Sequence, residues 1–149
     1  MPDYLETTVD KFIFKVATDR YYSAEGVWAL VEGDRIRIGM TDFVQQRNGD
    51  ITFAVVRSEG TALEAGDEVA AIETIKANVS LASPVSGTVA EVNPAMEMSP
   101  EVANQDPYGE GWLVVVQARD WPGDRDSLLD PRAYFELMKG QAEEEAKKL

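Results

Sequence analysis

The stretch Glu68-Val69-Ala70-Ala71-Ile72-Glu73-Thr74-Ile75-Lys76-Ala77-Asn78-Val79-Ser80-Leu81-Ala82-Ser83-Pro84-Val85-Ser86-Gly87-Thr88-Val89 sets the architecture. Its two apolar runs, Val69–Ile75 and Val79–Leu81, are separated by a few residues that include Lys76, and short runs bounded by turn signals read as paired strands. A tight turn between them pushes the Lys76 side chain into solvent from a rigid base. Taken alone, an exposed lysine is a solubilising charge. Pro84 and Ser86-Gly87 then punctuate the chain before Thr88–Val92, whose alternation again predicts a strand.

Working outward, Val27–Val31 and Arg35–Met40 flank Glu32-Gly33-Asp34 and predict a hairpin closed at the glycine. Thr41 or Asp42 caps a brief helix through Arg47, and Asn48-Gly49 stops it. Ile51–Val56 is a strand. Ser99-Pro100-Glu101 opens a second short helix, and the continuous apolar run Trp112–Val116 predicts a buried strand. Asp130-Pro131 opens a C-terminal helix in which Tyr134, Leu137, Met138 and Ala142 recur at helical spacing, with Phe135 beside them. Phe12, Phe14 and Val16 alternate within Lys11–Ala17, whereas the first ten residues show little periodicity and are expected to form a mobile arm. About seven short strands and two small helices predict a mainly β sandwich.

The 149 residues fit one domain with a sizeable core. They contain no His and no Cys. That excludes thiol chemistry, a His-containing triad and zinc of the Cys/His kind, so redox reactivity must come from an attached cofactor. A net charge of −13 repels phosphate backbones and anionic surfaces, so no nucleic-acid partner is expected. No run approaches the ~20 apolar residues of a membrane span, and the acidic N-terminus is unlike a signal peptide. The default is the cytoplasm.

Three weaker constellations give way to structural readings. Gly109-Glu110-Gly111 begins like a dinucleotide fingerprint, but Val114 stands where the third glycine belongs. Asp120, Asp124, Asp126 and Asp130 lack the spacing, central glycine and terminal Glu of a calcium loop, and read as surface loop and helix cap. Ser83 and Ser86 have no base beside them in sequence, and turn chemistry accounts for both.

From Trp28 to about Tyr134 the chain resembles the H protein of the glycine cleavage system, a lipoyl carrier whose attachment lysine lies in a Glu-x-x-Lys-Ala hairpin, here Glu73-Thr74-Ile75-Lys76-Ala77. Ser83-Pro84-Val85-Ser86-Gly87 followed by Val89-Ala90-Glu91-Val92-Asn93 is similar to the family's return strand. Asn104-Gln105-Asp106-Pro107-Tyr108-Gly109-Glu110-Gly111-Trp112-Leu113 resembles its C-terminal signature. Shorter agreements occur at Gly39-Met40-Thr41-Asp42-Phe43, Asn48-Gly49-Asp50-Ile51 and Asp126-Ser127-Leu128-Leu129-Asp130.

The resemblance implies a lipoyl/biotinyl-type β-sandwich, the barrel-sandwich hybrid, with peripheral helices and no catalysis by this chain alone. It implies covalent lipoate on Lys76, with Glu73 serving ligase recognition. Biotinyl domains share the architecture but flank their lysine with methionines, where this chain has Ile75 and Ala77. An unmodified β-sandwich interaction module is the reading from another functional class.

Two departures matter. Gly26-Val27-Trp28 stands where H proteins carry His-Glu-Trp, and Met1 to about Asp19 is an addition, giving an extension over 1–19 and an H-protein-like domain over 20–149. In both respects the chain is similar to the lipoate-binding proteins of the sulfur-oxidising heterodisulfide-reductase-like pathway. That resemblance implies sulfur intermediates as cargo. Its implied partners are a lipoate ligase or lipoyl transferase, the heterodisulfide-reductase-like complex and dihydrolipoyl dehydrogenase. The alternative implies an aminomethyl cargo, with glycine decarboxylase and aminomethyltransferase.

Overall fold

The computed structural model describes residues 3–148. Met1, Pro2 and Leu149, the outermost residues of the expected arm and of the C-terminal stretch, lie outside them. In chain order the elements are β1 (Tyr4–Val9), β2 (Phe12–Ala17), β3 (Tyr21–Tyr22), β4 (Val27–Glu32), β5 (Arg35–Met40), α1 (Asp42–Asn48), β6 (Ile51–Val56), β7 (Ala62–Leu63) and β8 (Glu68–Thr74). There follow β9 (Asn78–Ala82), β10 (Gly87–Val92), α2 (Ala95–Met98), α3 (Val102–Gln105), β11 (Val114–Ala118), α4 (Trp121–Arg125) and α5 (Pro131–Ala146). The architecture is mainly β with short helices and one long C-terminal helix, as the periodicity predicts.

Strands β3-β4-β5-β11-β10-β7 form one sheet and β6-β8-β9 another. Each presents an inward row to a shared core. Ile36 and Ile38 of β5, Val114 and Val116 of β11, Val69 and Ile72 of β8, and Leu81 of β9 are all buried there. Alternation places the residues of β5 and β11 on one face of each strand, while in β8 a register shift between Glu68 and Ala70 lets Val69 and Ile72, three residues apart, both face inward. The run read as Trp112–Val116 enters the ladder slightly later, although Leu113 already donates its backbone N–H to Ile38 O at 2.8 Å.

The expected mobile arm is a strand. β1 pairs along its length with β2, Tyr4 opposite Ala17 and Val9 opposite Phe12. Its inward positions are Leu5, Thr7 and Val9, of which only Val9 is fully buried. That is too sparse an apolar row to register as periodicity, and order comes from tertiary contacts that a local pattern does not contain. Lys15 N–H donates to Asp42 Oδ2 at 2.9 Å and Gln46 Nε2 donates to Ile13 O at 2.8 Å, fastening the hairpin to α1. Tyr108 Oη donates to Lys15 O at 2.7 Å from another part of the chain.

A second apolar cluster lies under this hairpin and α5. It joins Phe14 and Val16 to Tyr22, Trp28, Phe43, Tyr134 and Met138. The buried face of α5 is Tyr134, Phe135, Met138 and Ala142, while Leu137, expected in the stripe, is 37% exposed. The face is turned toward Phe135 because Phe135 packs in the cluster that the hairpin helps to form. Asp130 caps this helix as predicted, accepting from Ala133 N–H at 2.8 Å, and Thr41 caps α1.

The cluster has a pH signature. Tyr22 stacks on Tyr134 at 4.6 Å between centroids, and its hydroxyl donates to Ala17 O. Burial pushes the phenols of Tyr22 and Tyr108 up and that of Tyr134 to about 12. A pKa raised in the folded state means that this contribution to stability is whole below the unfolded tyrosine value of about 10 and is lost as pH rises through about 12. Denaturant midpoints measured from about pH 9 to 12 are expected to fall above about pH 10, less steeply in Tyr134→Phe. A midpoint with the same slope in both proteins would contradict the assignment.

Candidate functional site

The candidate site is the β8–β9 hairpin. Its ladder pairs Ile72 with Val79 and Glu73 with Asn78, leaving Ile75-Lys76-Ala77 as the connection. Thr74 clamps it. The Thr74 backbone N–H donates to Ala77 O at 2.9 Å, and Thr74 Oγ1 accepts from the backbone N–H groups of Lys76 at 3.2 Å and Ala77 at 3.1 Å. A threonine hydroxyl folding back onto the next residues is a recognised turn device, and here it fixes the backbone from which Lys76 projects.

Beneath the turn the support comes from distant residues. Gly49, at φ +86, ends α1 where the Lys76 stem crosses, and a Cβ there would stand 3.5 Å from Lys76 Cε. Asn104 of α3 holds this corner. Its Nδ2 donates to Gly49 O at 3.1 Å and to Gln45 Oε1 at 3.1 Å, while its Oδ1 accepts from Ile51 N–H at 2.9 Å. The rest of the Asn104–Leu113 stretch is structural too, for a Cβ on Gly111 would sit 2.6 Å from Ala103 Cα.

Lys76 is exposed and forms no ion pair among the described residues. Its amine is presented without a carboxylate to hold it, and acylation would leave no buried charge unpartnered. That suits a covalently attached acyl group. Glu73 sits on the outward face of β8 opposite Phe53, its carbonyl accepting from Thr52 Oγ1 at 3.2 Å. Glu73 and Lys76 stand three residues apart in the hairpin, Glu73 in the ladder and Lys76 in the connection, and no salt bridge joins them. Ile75, at 84% exposed, completes an outward apolar and acidic surface beside the lysine.

The weaker constellations have structural uses. Ser83 Oγ donates to Val85 O at 2.7 Å, and Asp124 accepts from Ser86 N–H at 2.8 Å. Asp120 and Asp130 cap α4 and α5. Among the described residues no group of His, Cys, Asp or Glu is placed to hold a metal. The sequence motif points to Lys76 and Glu73 but assigns nothing to Thr74, Gly49 or Asn104. A hydroxyl residue two positions before the lysine is the available signal for Thr74, whereas the Gly49–Asn104 bond joins residues 55 apart and has no local signature.

Known proteins are similar to this chain. The family model described as Glycine cleavage H-protein matches residues 20–141. A glycine cleavage system H protein from Thermus thermophilus is 41% identical over 127 residues, covering 85% of this chain and 98% of that protein. Another, from Bacteroides fragilis, is 44% identical over 113 residues, 76% of this chain and 89% of its own. The crystal structure of a glycine cleavage system H protein from Mycobacterium marinum superposes with a TM-score of 0.74 at 31% identity, covering 81% of this chain and 97% of that one. This neighbour fits the lipoyl-type β-sandwich expected of the two sheets. The chain therefore belongs to the glycine cleavage H-protein family, whose members are non-catalytic carriers of a lipoate bound covalently to a lysine.

Proposed function

We propose that this chain is the lipoyl carrier of a glycine cleavage system, with Lys76 the attachment residue and Glu73 read by the ligase that acylates it. The observation that carries the proposal is the Thr74-clamped turn, which presents the Lys76 amine, without an ion-pair partner among the described residues, at the tip of a rigid hairpin. Rigidity beneath a mobile side chain serves a carrier, because several enzymes must meet one fixed epitope while the arm moves. The attached group supplies a reducible dithiolane to which an aminomethyl cargo is joined. The partners in this reading are a lipoate ligase or lipoyl transferase, glycine decarboxylase, aminomethyltransferase and dihydrolipoyl dehydrogenase, meeting in the cytoplasm. Residues 1–19 are an extension to the carrier domain at 20–149.

The relatives above favour the aminomethyl cargo over the sulfur cargo. The sulfur reading keeps one observation of its own at Gly26-Val27. Gly26 lies at φ +91, and a Cβ there would meet Val44 of α1 first and stand 3.1 Å from both Thr41 Oγ1 and Tyr134 Oη, so the space a side chain would need at this place is filled by α1 together with α5. Two measurements decide. Intact mass of the protein from a lipoate-competent host is expected to show one lipoyl increment; a biotinyl increment, or none, would overturn the cofactor assignment. The loaded protein, substituted for the resident carrier in reconstituted glycine cleavage, is expected to support aminomethyl transfer. Failure there, with activity in a heterodisulfide-reductase-like assay, would transfer the assignment to sulfur.

A further inference from the structure

An apolar groove of about 200 Å³ opens between the tip of β1–β2, α1 and the end of α5, and the Lys76 side chain forms part of its wall. Phe12, Phe14 and Phe43 supply its aromatic surface, Phe14 edge-on to Phe43 at 5.4 Å and Phe12 beside Phe14 at 6.3 Å. Phe12 is left 48% exposed. Arg47 is engaged twice at this groove, in a 3.1 Å ion pair with Glu145 and over the Phe43 ring at 5.7 Å. Asp10 lines the groove as well, and it forms no ion pair among the described residues. It lies at φ +58 in the two-residue turn between Val9 and Phe12, a conformation that Asp and Asn adopt more readily than other residues with a Cβ. Asp10, Phe12 and Phe14 precede residue 20, where the family match begins, so this wall is built by residues outside the matched segment.

We propose that this groove is a docking site for the enzyme that acylates Lys76, which seats one large apolar side chain against Phe12 and a basic side chain against Asp10. The proposal rests on the reading of Lys76 as the acylated residue, and it adds a second epitope, contributed by the N-terminal hairpin. Continuity with the attachment site is the first argument. The amine ends the stem that walls the groove, so a protein surface closing around that amine lies over the groove mouth. Size is the second. An apolar cavity of about 150 Å³ holds benzene, so this one has room for a single aromatic or leucine side chain. Covering Phe12 takes apolar surface out of water, and a large side chain filling a pocket is the kind of contact that dominates an interface.

Charge is the third argument. A chain of net charge −13 attracts a basic surface and opposes a second copy of itself as the occupant. Within the groove Glu145 is already neutralised by Arg47, which leaves the Asp10 carboxylate for a cation of the partner. The hairpin is also stiff enough to be read. Gln46 Nε2 donates both to Ile13 O at 2.8 Å and to Asp42 Oδ1 at 3.1 Å, and Asp42 Oδ2 accepts from Lys15 N–H, so β2 is fixed to α1 directly behind Phe12.

The test is steady-state acylation of the full-length protein by the lipoate ligase of the organism that makes it, with lipoate and ATP, intact mass confirming the product. Phe12→Ser is expected to raise KM for the carrier about 10-fold. It should leave kcat within about twofold, because Lys76 and its Thr74 clamp are untouched. Asp10→Asn, which suits the same backbone conformation, should raise KM about threefold and flatten the fall of kcat/KM with added salt. Val31→Ser removes another exposed apolar side chain, at the end of β4 remote from α1, and should change neither constant. In the wild-type protein, bound ligase should slow amide exchange over residues 9–12 as well as over residues 74–77. Absence of any mass increment on the wild-type chain would overturn the reading of Lys76 and the proposal with it. Normal acylation with a wild-type KM in either groove variant, a fall in kcat at unchanged KM, or protection confined to residues 74–77 would overturn the docking site alone. So would a dimer in solution that Phe12→Ser dissolves, which would give the groove to a second copy.

Discussion

Lys76→Arg is expected to abolish lipoylation while leaving the fold unchanged. Acylation consumes the lone pair of a neutral amine, and a guanidinium stays protonated throughout the accessible pH range. Nothing in the folded protein depends on the ammonium, because Lys76 is exposed and unpaired among the described residues. The change in stability should stay within about 0.5 kcal/mol, as for other surface substitutions. Intact mass after co-expression with a lipoate ligase checks the first half and a denaturant midpoint the second. Thr74→Val gives the graded case. It keeps the amine but removes the oxygen that accepts from Lys76 and Ala77, costing about 1 kcal/mol and lowering kcat/KM for acylation by about 10- to 100-fold. Thr74→Ser, which keeps the hydroxyl, should restore most of the rate. A Thr74→Val protein acylated at the wild-type rate would remove the clamp from the account.

What was legible in the sequence was whatever depends on near neighbours. Residues 35–38 emerge as a strand because one face is buried and period-two alternation is the trace of that burial, whereas residues 27–29 are a continuous apolar run because Val27 and Ala29 enter one core cluster and Trp28 the other. Thr41 and Asp130 are legible as caps because the bond each makes is to an amide three residues on. Lys76 stands out for the same local reason, as a single cation between two apolar runs.

The remainder depends on residues far apart in the chain. Tyr4–Val9 carries no strong strand pattern, and its order comes from β2 and from the face of α5. Leu137 fits the helical spacing as well as Phe135 does. Which of them is buried depends on the Phe14 and Val16 wall, supplied more than a hundred residues earlier, and no helical pattern contains that. The apolar groove is a stronger instance. Phe12 reads as one member of an alternating strand, and its meaning changes only when Phe43, Ala142 and Lys76 are found beside it. The motif thus located the attachment residue while saying nothing about its surroundings.

Trp28→Ala is expected to cost far more stability than Thr74→Val or Tyr134→Phe. The indole is fully buried, and its Nε1–H donates both to Met40 O at 2.9 Å and to Pro107 O at 3.0 Å. Arg20, itself only 4% exposed, stacks its guanidinium 4.6 Å from the ring, and Gly39 leaves the other approach open because a Cβ there would meet the indole. Truncation opens a cavity, leaves two carbonyls short of a donor and strips the Arg20 cation of its aromatic face. Loss of a buried Trp side chain costs about 3–5 kcal/mol, and at about 2–4 °C per kcal/mol for a protein of this size Tm should drop by about 10 °C or more. Trp112→Ala is the control, since that ring is half-buried under Arg37 and should cost less than half as much. The consequence reaches the site through a definite path. Trp28 ties β4 to the Pro107 segment that follows α3, and α3 carries Asn104, the residue that holds Gly49 beneath Lys76. Trp28→Ala should therefore also slow acylation of Lys76 at temperatures well below its Tm, whereas a variant that is less stable yet acylated at the wild-type rate would show that the corner holds without the indole.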